Sequence, residues 1–173
     1  MTAQQLITHI QTAFAQVPHC GNHNITNSYD DTETIALKTE FKDKTNWQNL
    51  DSTFLDQAPD GFSTALCFFS KEAFRFYLPA YLVADINQQL QCVDVVFHLT
   101  HGLTNSAKYN ELKIHNQPKT TWYESTKNKF AIFLPPEKQA ITAYLQYKKL
   151  YTEFESDKQD IDEAVQNYWN YKN

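Results

Sequence analysis

Glycine, arginine and long apolar runs are all scarce in this chain. Its 173 residues hold three glycines and one arginine, and nowhere do about 18 apolar residues follow one another, the length a membrane helix needs. Gly21, Gly61 and Gly102 stand too far apart to build a glycine-rich phosphate loop, and no Gly-x-Ser-x-Gly elbow or Cys-x-x-Cys pair occurs. Nucleotide hydrolysis and esterase chemistry of those types are therefore excluded. The opening "MTAQQLITHIQTAFAQ" lacks a basic segment followed by an apolar one, so the expected location is cytoplasmic, with no membrane partner. Cys20, Cys67 and Cys92 are an odd number without close spacing and read as reduced thiols, with Cys67 and Cys92 as core packers.

What is abundant is aromatic and apolar: 42% hydrophobic and 14% aromatic residues suffice for a core without disulfide staples. The formal charge of −5 is unevenly spread. Glu153 to Glu163 carries Glu153, Glu155, Asp157, Asp160, Asp162 and Glu163 against Lys158, whereas Lys108 to Lys129 is mildly basic. A net acidic chain repels nucleic acid, and an acidic patch speeds encounter with a basic protein. Lysines interleaved with Trp122, Tyr123 and Phe130 offer a weak nucleic-acid motif, which the net charge opposes.

Apolar spacing predicts helices over Ala3 to Gln16 with Thr2 as cap, from Asp30 or Asp31 through Phe41, and around "NWQNLDSTFLDQ". Pro59-Asp60-Gly61 predicts a turn. Ser70 caps a central helix, apolar on nearly all sides, in which Pro79 predicts a kink or a break near Tyr77. The runs "VDVVFHL", "ELKIHN", "TTWYES" and "KFAIFL" read as strands. Pro135 and Pro136 open a long helix through about Phe154, and Ile161, Ala164, Val165, Tyr168 and Trp169 mark a last helix that docks on the body. The expected fold is α+β, predominantly helical: a single globular domain, residues 1–173, of about six helices with a small antiparallel sheet in the 93–134 region.

Few residues nominate themselves for chemistry. His19, Cys20 and His23 in one loop would ligate zinc only if a fourth group approached, and the expectation is no cofactor and no metal. His98 and His101, three apart, share a face on a helix but not on a strand ending in a turn. Arg75 cannot shed its charge among apolar neighbours, and its nearest carboxylate in sequence is Glu72, three residues back. The expected role is a structural clasp of Arg75 and Glu72. The rival role is an anion site at the floor of a pocket.

The segment "FFSKEAFRFYLPAYLVADI" resembles the hallmark of an uncharacterised bacterial domain-of-unknown-function family, of the type Ser-Pro-Glu-Ala-Phe-Arg-Tyr-Tyr-Leu-Pro-Ala-Tyr-Leu. "LITHIQTAFAQVPHCGNHNI", "KTNWQNL", "VFHLT" and "FLPPEKQAITAYLQY" are similar to other parts of that family. Lys71 stands where the family has proline. The resemblance implies a family-like helical core over 1–102 and 130–173, with 103–129 as an insert, and it implies no activity. Function is then read from absence, charge and analogy: a non-catalytic protein-binding module, of the immunity type that neutralises a bacterial toxin by direct binding. Its partner is a protein, a basic toxin or effector domain, met by Trp122, Tyr123 and the six acids of 153–163. The alternative is an enzyme or small-ligand-binding protein with a pocket near Arg75, Tyr77, His98 and His101.

Overall fold

A computed structural model of the chain describes residues 1–27, 32–57, 64–113 and 118–170. It is mostly helical with one small antiparallel sheet, as expected. The helix starts at Asp30 or Asp31 and the turn at 59–61 lie outside the described residues, as does 114–116 of the run "ELKIHN". Contacts gather the chain into two compact units, Thr2–Val95 and Val96–Asn173.

In the first unit, α1 (Ala3–Phe14) starts on a reciprocal cap: the Thr2 amide donates to Gln5 Oε1 at 2.9 Å and the Gln5 amide to Thr2 Oγ1 at 3.2 Å. Leu6, Ile7, Ile10 and Phe14 form its buried stripe. Next come α2 (Thr32–Phe41), a 3₁₀ turn at Trp47–Asn49, α3 (Ser52–Leu55), α4 (Ala65–Phe68) and α5 (Lys71–Ile86). The expected helix over "NWQNLDSTFLDQ" is thus two pieces, because Asp51 accepts from the Phe54 amide and starts a new helix. α1 packs on α5, whose buried residues face every direction, from Ala73 and Phe74 through Leu82 to Ile86. α5 runs through Pro79 as one helix, so of the expected kink or break the break does not occur. Surrounding side chains hold the helix where the ring removes one backbone donor.

Ser70 ties the head of α5 to the loop that follows α1. Its hydroxyl accepts from the Ala73 amide at 3.0 Å and donates to the Asn24 carbonyl, while its amide donates to Ile25 at 3.0 Å. Asp56, just past α3, accepts from the amides of Gln91, Cys92 and Val93 at 2.8 to 3.2 Å. This fastens the turn after α5 and leaves the Cys92 side chain exposed. Cys67 is also exposed, because Ala65 and Leu66 take the inward positions of the single-turn α4. Neither cysteine is the expected core packer.

The second unit corrects the strand reading. "VDVVFHL" holds α6 (Val95–Thr100), which leads into 3₁₀ turns at His101–Leu103 and Ser106–Lys108. Strands β1 (Glu111–Leu112) and β2 (Thr120–Thr121) pair Glu111 with Thr121 and Leu112 with Thr120. Most of "TTWYES" and the start of "KFAIFL" belong instead to α7 (Trp122–Phe130), because Thr121 caps it by accepting from the Glu124 amide at 3.2 Å. A Cβ on buried Gly102 would stand 2.0 Å from Thr126 Oγ1, so only glycine lets the 3₁₀ turn approach α7 this closely.

α8 (Pro135–Lys149) ends earlier than expected and is followed by α9 (Glu155–Ala164) and a π turn at Val165–Trp169. The docking of this last segment is as its spacing indicates. Ile161, Ala164 and Trp169 are buried, and Trp169 Nε1 donates to the Leu99 carbonyl at 2.9 Å. Phe130 and Phe133 pack around the indole with ring centres 4.9 and 5.9 Å away. Thr142 Oγ1 donates to the Trp169 carbonyl at 2.8 Å and fixes the turn to α8.

Candidate functional site

Four sequence-nominated residues for a pocket divide between the units: Arg75 and Tyr77 lie on α5, His98 and His101 on α6 and the turn after it. Arg75 and Glu72 are both half-buried on α5. Tyr77 is fully buried, and its hydroxyl is engaged twice. The Gly21 amide donates to His19 Nδ1 at 3.1 Å, which places the imidazole proton on Nε2. That Nε2–H donates to the Tyr77 oxygen at 3.1 Å, and the phenol donates onward to the Lys44 carbonyl at 3.1 Å. Burial holds Tyr77 neutral by raising its pKa and lowers that of His19 against the pull of Asp43. Beside them burial pushes the Cys20 thiol up to about 11, unlike an activated nucleophile. Both ring nitrogens of His19 are thus committed to the fold. Among the described residues no group of three or more His, Cys, Asp or Glu side chains is arranged to hold a metal ion.

His98, on the helix and not on a strand, lies within electrostatic reach of His101. Burial first, then the charges of Lys129 and His101, bring its pKa down to about 4, so it is neutral at pH 7. His101 Nδ1–H donates to the Phe97 carbonyl at 3.0 Å. Its ring lies flat on Phe97, centres 4.3 Å apart and 9° between planes, and meets Trp122 edge-on at 5.8 Å. Phe97 and Trp122 remain 50% and 43% exposed.

Tyr123, expected beside Trp122 as a surface anchor, is half-buried and tied down. Its hydroxyl donates to the Asn167 carbonyl at 3.0 Å, and Lys108 and Lys127 ammonium groups lie 5.4 and 5.2 Å from its ring centre. The acidic stretch is likewise unequal. Asp162 pairs with Lys149 at 2.6 Å and Glu155 with Lys158 at 2.7 Å. Asp157 accepts from the Thr152 hydroxyl at 3.1 Å, and Glu163 accepts from the Asn105 amide at 2.7 Å and from Gln159 at 3.0 Å. Those hydrogen bonds hold the Glu163 pKa low, whereas burial and the neighbouring Glu163 and Asp157 charges raise that of Asp160. Glu153 is exposed.

Three side chains that charge counting passed over stand out at the α8–α9 corner. Leu150, Tyr151 and Phe154 are 79%, 68% and 71% exposed, with Glu153 and Glu155 between and beside them. Large apolar groups this exposed within five residues mark a contact surface more often than a solvated one. The available signal was the apolar residues outlasting the buried stripe of α8, which ends at Leu145.

No helix among the described residues is long and apolar enough to cross a membrane. No curated protein and no solved structure matches the chain. A family model does match, over residues 2–173, a range that includes the 103–129 segment. With the α5 segment and both units inside that range, the chain belongs to a family of unknown function, DUF6714.

Proposed function

We propose that this protein is a non-catalytic, cytoplasmic protein-binding module of the immunity type, which neutralises a basic toxin or effector domain of a bacterial competitor by covering it. The observation that carries the reading is the α8–α9 corner, where exposed Leu150, Tyr151 and Phe154 stand among Glu153 and Glu155. Aromatic anchors ringed by charge are the ordinary make-up of a binding hot spot. In this reading the corner supplies apolar anchorage and the acids supply steering. Arg75 and Glu72, one turn apart on α5, then serve the architecture as a clasp, and Trp122 with the remaining acids of 153–163 widens the contact.

The test is co-expression with a toxin-type gene that adjoins its own. Growth is restored and the two products co-purify in equal amounts. Tyr151→Ser with Phe154→Ser and charge reversal at Glu153 abolishes both effects at an unchanged thermal midpoint. Full rescue by that variant removes this surface from the interface. No rescue and no complex with any such product overturns the immunity reading.

A further inference from the structure

A hollow of about 90 Å³ lies wholly within the Thr2–Val95 unit, lined from α1, the 3₁₀ turn at Trp47–Asn49, the start of α3 and the last turns of α5. Its apolar wall is Leu50 with Ala80, Val83 and Ala84, the last three sharing one face of α5 at i, i+3 and i+4. Two of the four are alanines, which leave unfilled the space that larger side chains would take. The polar lining is set by local caps and turns. Asn46 caps the 3₁₀ turn by accepting from the Gln48 amide at 3.0 Å, and Asp51 caps α3, of which Ser52 is the first residue. Gln88 takes a φ of 58°, a conformation that ordinarily falls to glycine at a helix end, and beside it the Gln89 amide donates to the Ala84 carbonyl at 3.0 Å.

The fold leaves the polar groups of this lining unspent. The side-chain amides of Gln11, Gln48 and Gln89, the Ser52 hydroxyl and the Trp47 indole N–H make no hydrogen bond to the chain among the described residues. Trp47 is nevertheless 6% exposed. No charged residue among the described ones lines the hollow. Uncharged donors and acceptors around an apolar wall suit a molecule that is itself neutral, with a polar head and a short apolar stem. The volume limits its size. Drug-sized sites measure about 300–1,000 Å³, so this one admits only a few heavy atoms.

We propose that the hollow binds a small primary carboxamide, its head held by Gln11, Gln48, Gln89 and Ser52 and its alkyl stem against Ala80 and Ala84. A carboxamide accepts through its oxygen and donates through its NH₂ group, and the glutamine amides do the same, so the two pair in both directions. A carboxylate of the same shape brings no donor and would enter without a counter-cation. A free metabolite and an asparagine or glutamine side chain of another protein carry the same group. The site goes beyond the protein-binding reading and stands without it, because none of its residues belongs to the α8–α9 corner.

The experiment is a titration of the isotope-labelled full chain with propionamide, followed by NMR. The expected result is saturable movement of the side-chain NH₂ signals of Gln11, Gln48 and Gln89 and of the Trp47 indole N–H, with the Trp169 indole unmoved. Propionate at the same concentrations and ionic strength leaves all of them in place. Ala84→Leu, which fills the hollow, weakens binding at least fivefold. Gln48→Ala does the same from an exposed position, with the backbone amide spectrum otherwise preserved, and it decides the matter if Ala84→Leu does not fold. N-acetyl-glutamine methylamide separates the sources: binding tighter than that of propionamide identifies a partner's side chain, and weaker binding identifies a free amide. No saturable movement, an equal response to propionate, or undiminished binding by Gln48→Ala overturns the site.

Discussion

Tyr77 shows how a single side chain can look functional in sequence and be structural in the fold. A tyrosine near the chain's one arginine suggests an anion pocket, yet its hydroxyl links the His19 loop to the end of α2 through the Lys44 carbonyl. Tyr77→Phe keeps the ring and removes one acceptor and one donor, stranding the His19 Nε2–H and a carbonyl. Leaving such groups unpaired costs about 1–3 kcal/mol. Urea unfolding should therefore show a loss of that size at an unchanged far-ultraviolet circular dichroism spectrum. A change below about 0.5 kcal/mol would mean that water replaces both bonds. Histidine roles are similarly hidden from sequence. His19 is distinguished from His23 by the bonds it makes to the Gly21 amide and the Tyr77 hydroxyl, at a turn where Gly21 adopts a φ of 80°.

The elements whose periodicity is long and continuous were legible from the residues. α1, α5 and α8 occupy their expected stretches to within a few residues, and the final docking segment buries Ile161, Ala164 and Trp169. The 93–134 region was not legible. "VDVVFHL" is rich in β-branched residues, but Val95 and Leu99, four apart, are both buried on α6, so packing overrode propensity. Caps were the more dependable signal where they were read, as Thr2 and Ser70 each begin a helix. Ser70→Ala tests how much one cap carries. It removes the acceptor for the Ala73 amide and the donor to Asn24 together, so the loss should reach or exceed the upper end of the range of about 0.5–2 kcal/mol for a cap. Thermal unfolding measures it, and restoration by Ser70→Thr identifies the hydroxyl as the cause.

At the scale of the whole molecule, charge was legible in amount but not in use. Counting gave six acids between 153 and 163, whereas the structure assigns Asp162 and Glu155 to lysines and Glu163 to a backbone amide. A charge count cannot tell a carboxylate that stitches the fold from one that faces a partner, because the two differ only in what folding brings near. Stability against pH turns on a different group. His98 titrates at about 4 in the folded chain against an ordinary value of 6.5. Between those values the unfolded chain binds the proton and the folded chain does not, so stability is full above 6.5 and is lost as pH falls toward 4. The slope for one such group approaches about 1.4 kcal/mol per pH unit. Urea midpoints at pH 7 and pH 5 should fall farther apart for the unaltered protein than for His98→Gln, and equal differences would show that His98 does not control the acid limb.

The placement of the three tryptophans gives the molecule its own optical labels. Trp47 and Trp169, 6% and 0% exposed, sit in the cores of the Thr2–Val95 and Val96–Asn173 units respectively, while Trp122 faces water. A dissolved collisional quencher such as iodide therefore dims the red edge of the emission, which belongs to Trp122, and spares the blue. Any macromolecule seated over Trp122 shields that red component, so the colour of the light that survives quenching reports occupancy of the surface separately from loss of either core.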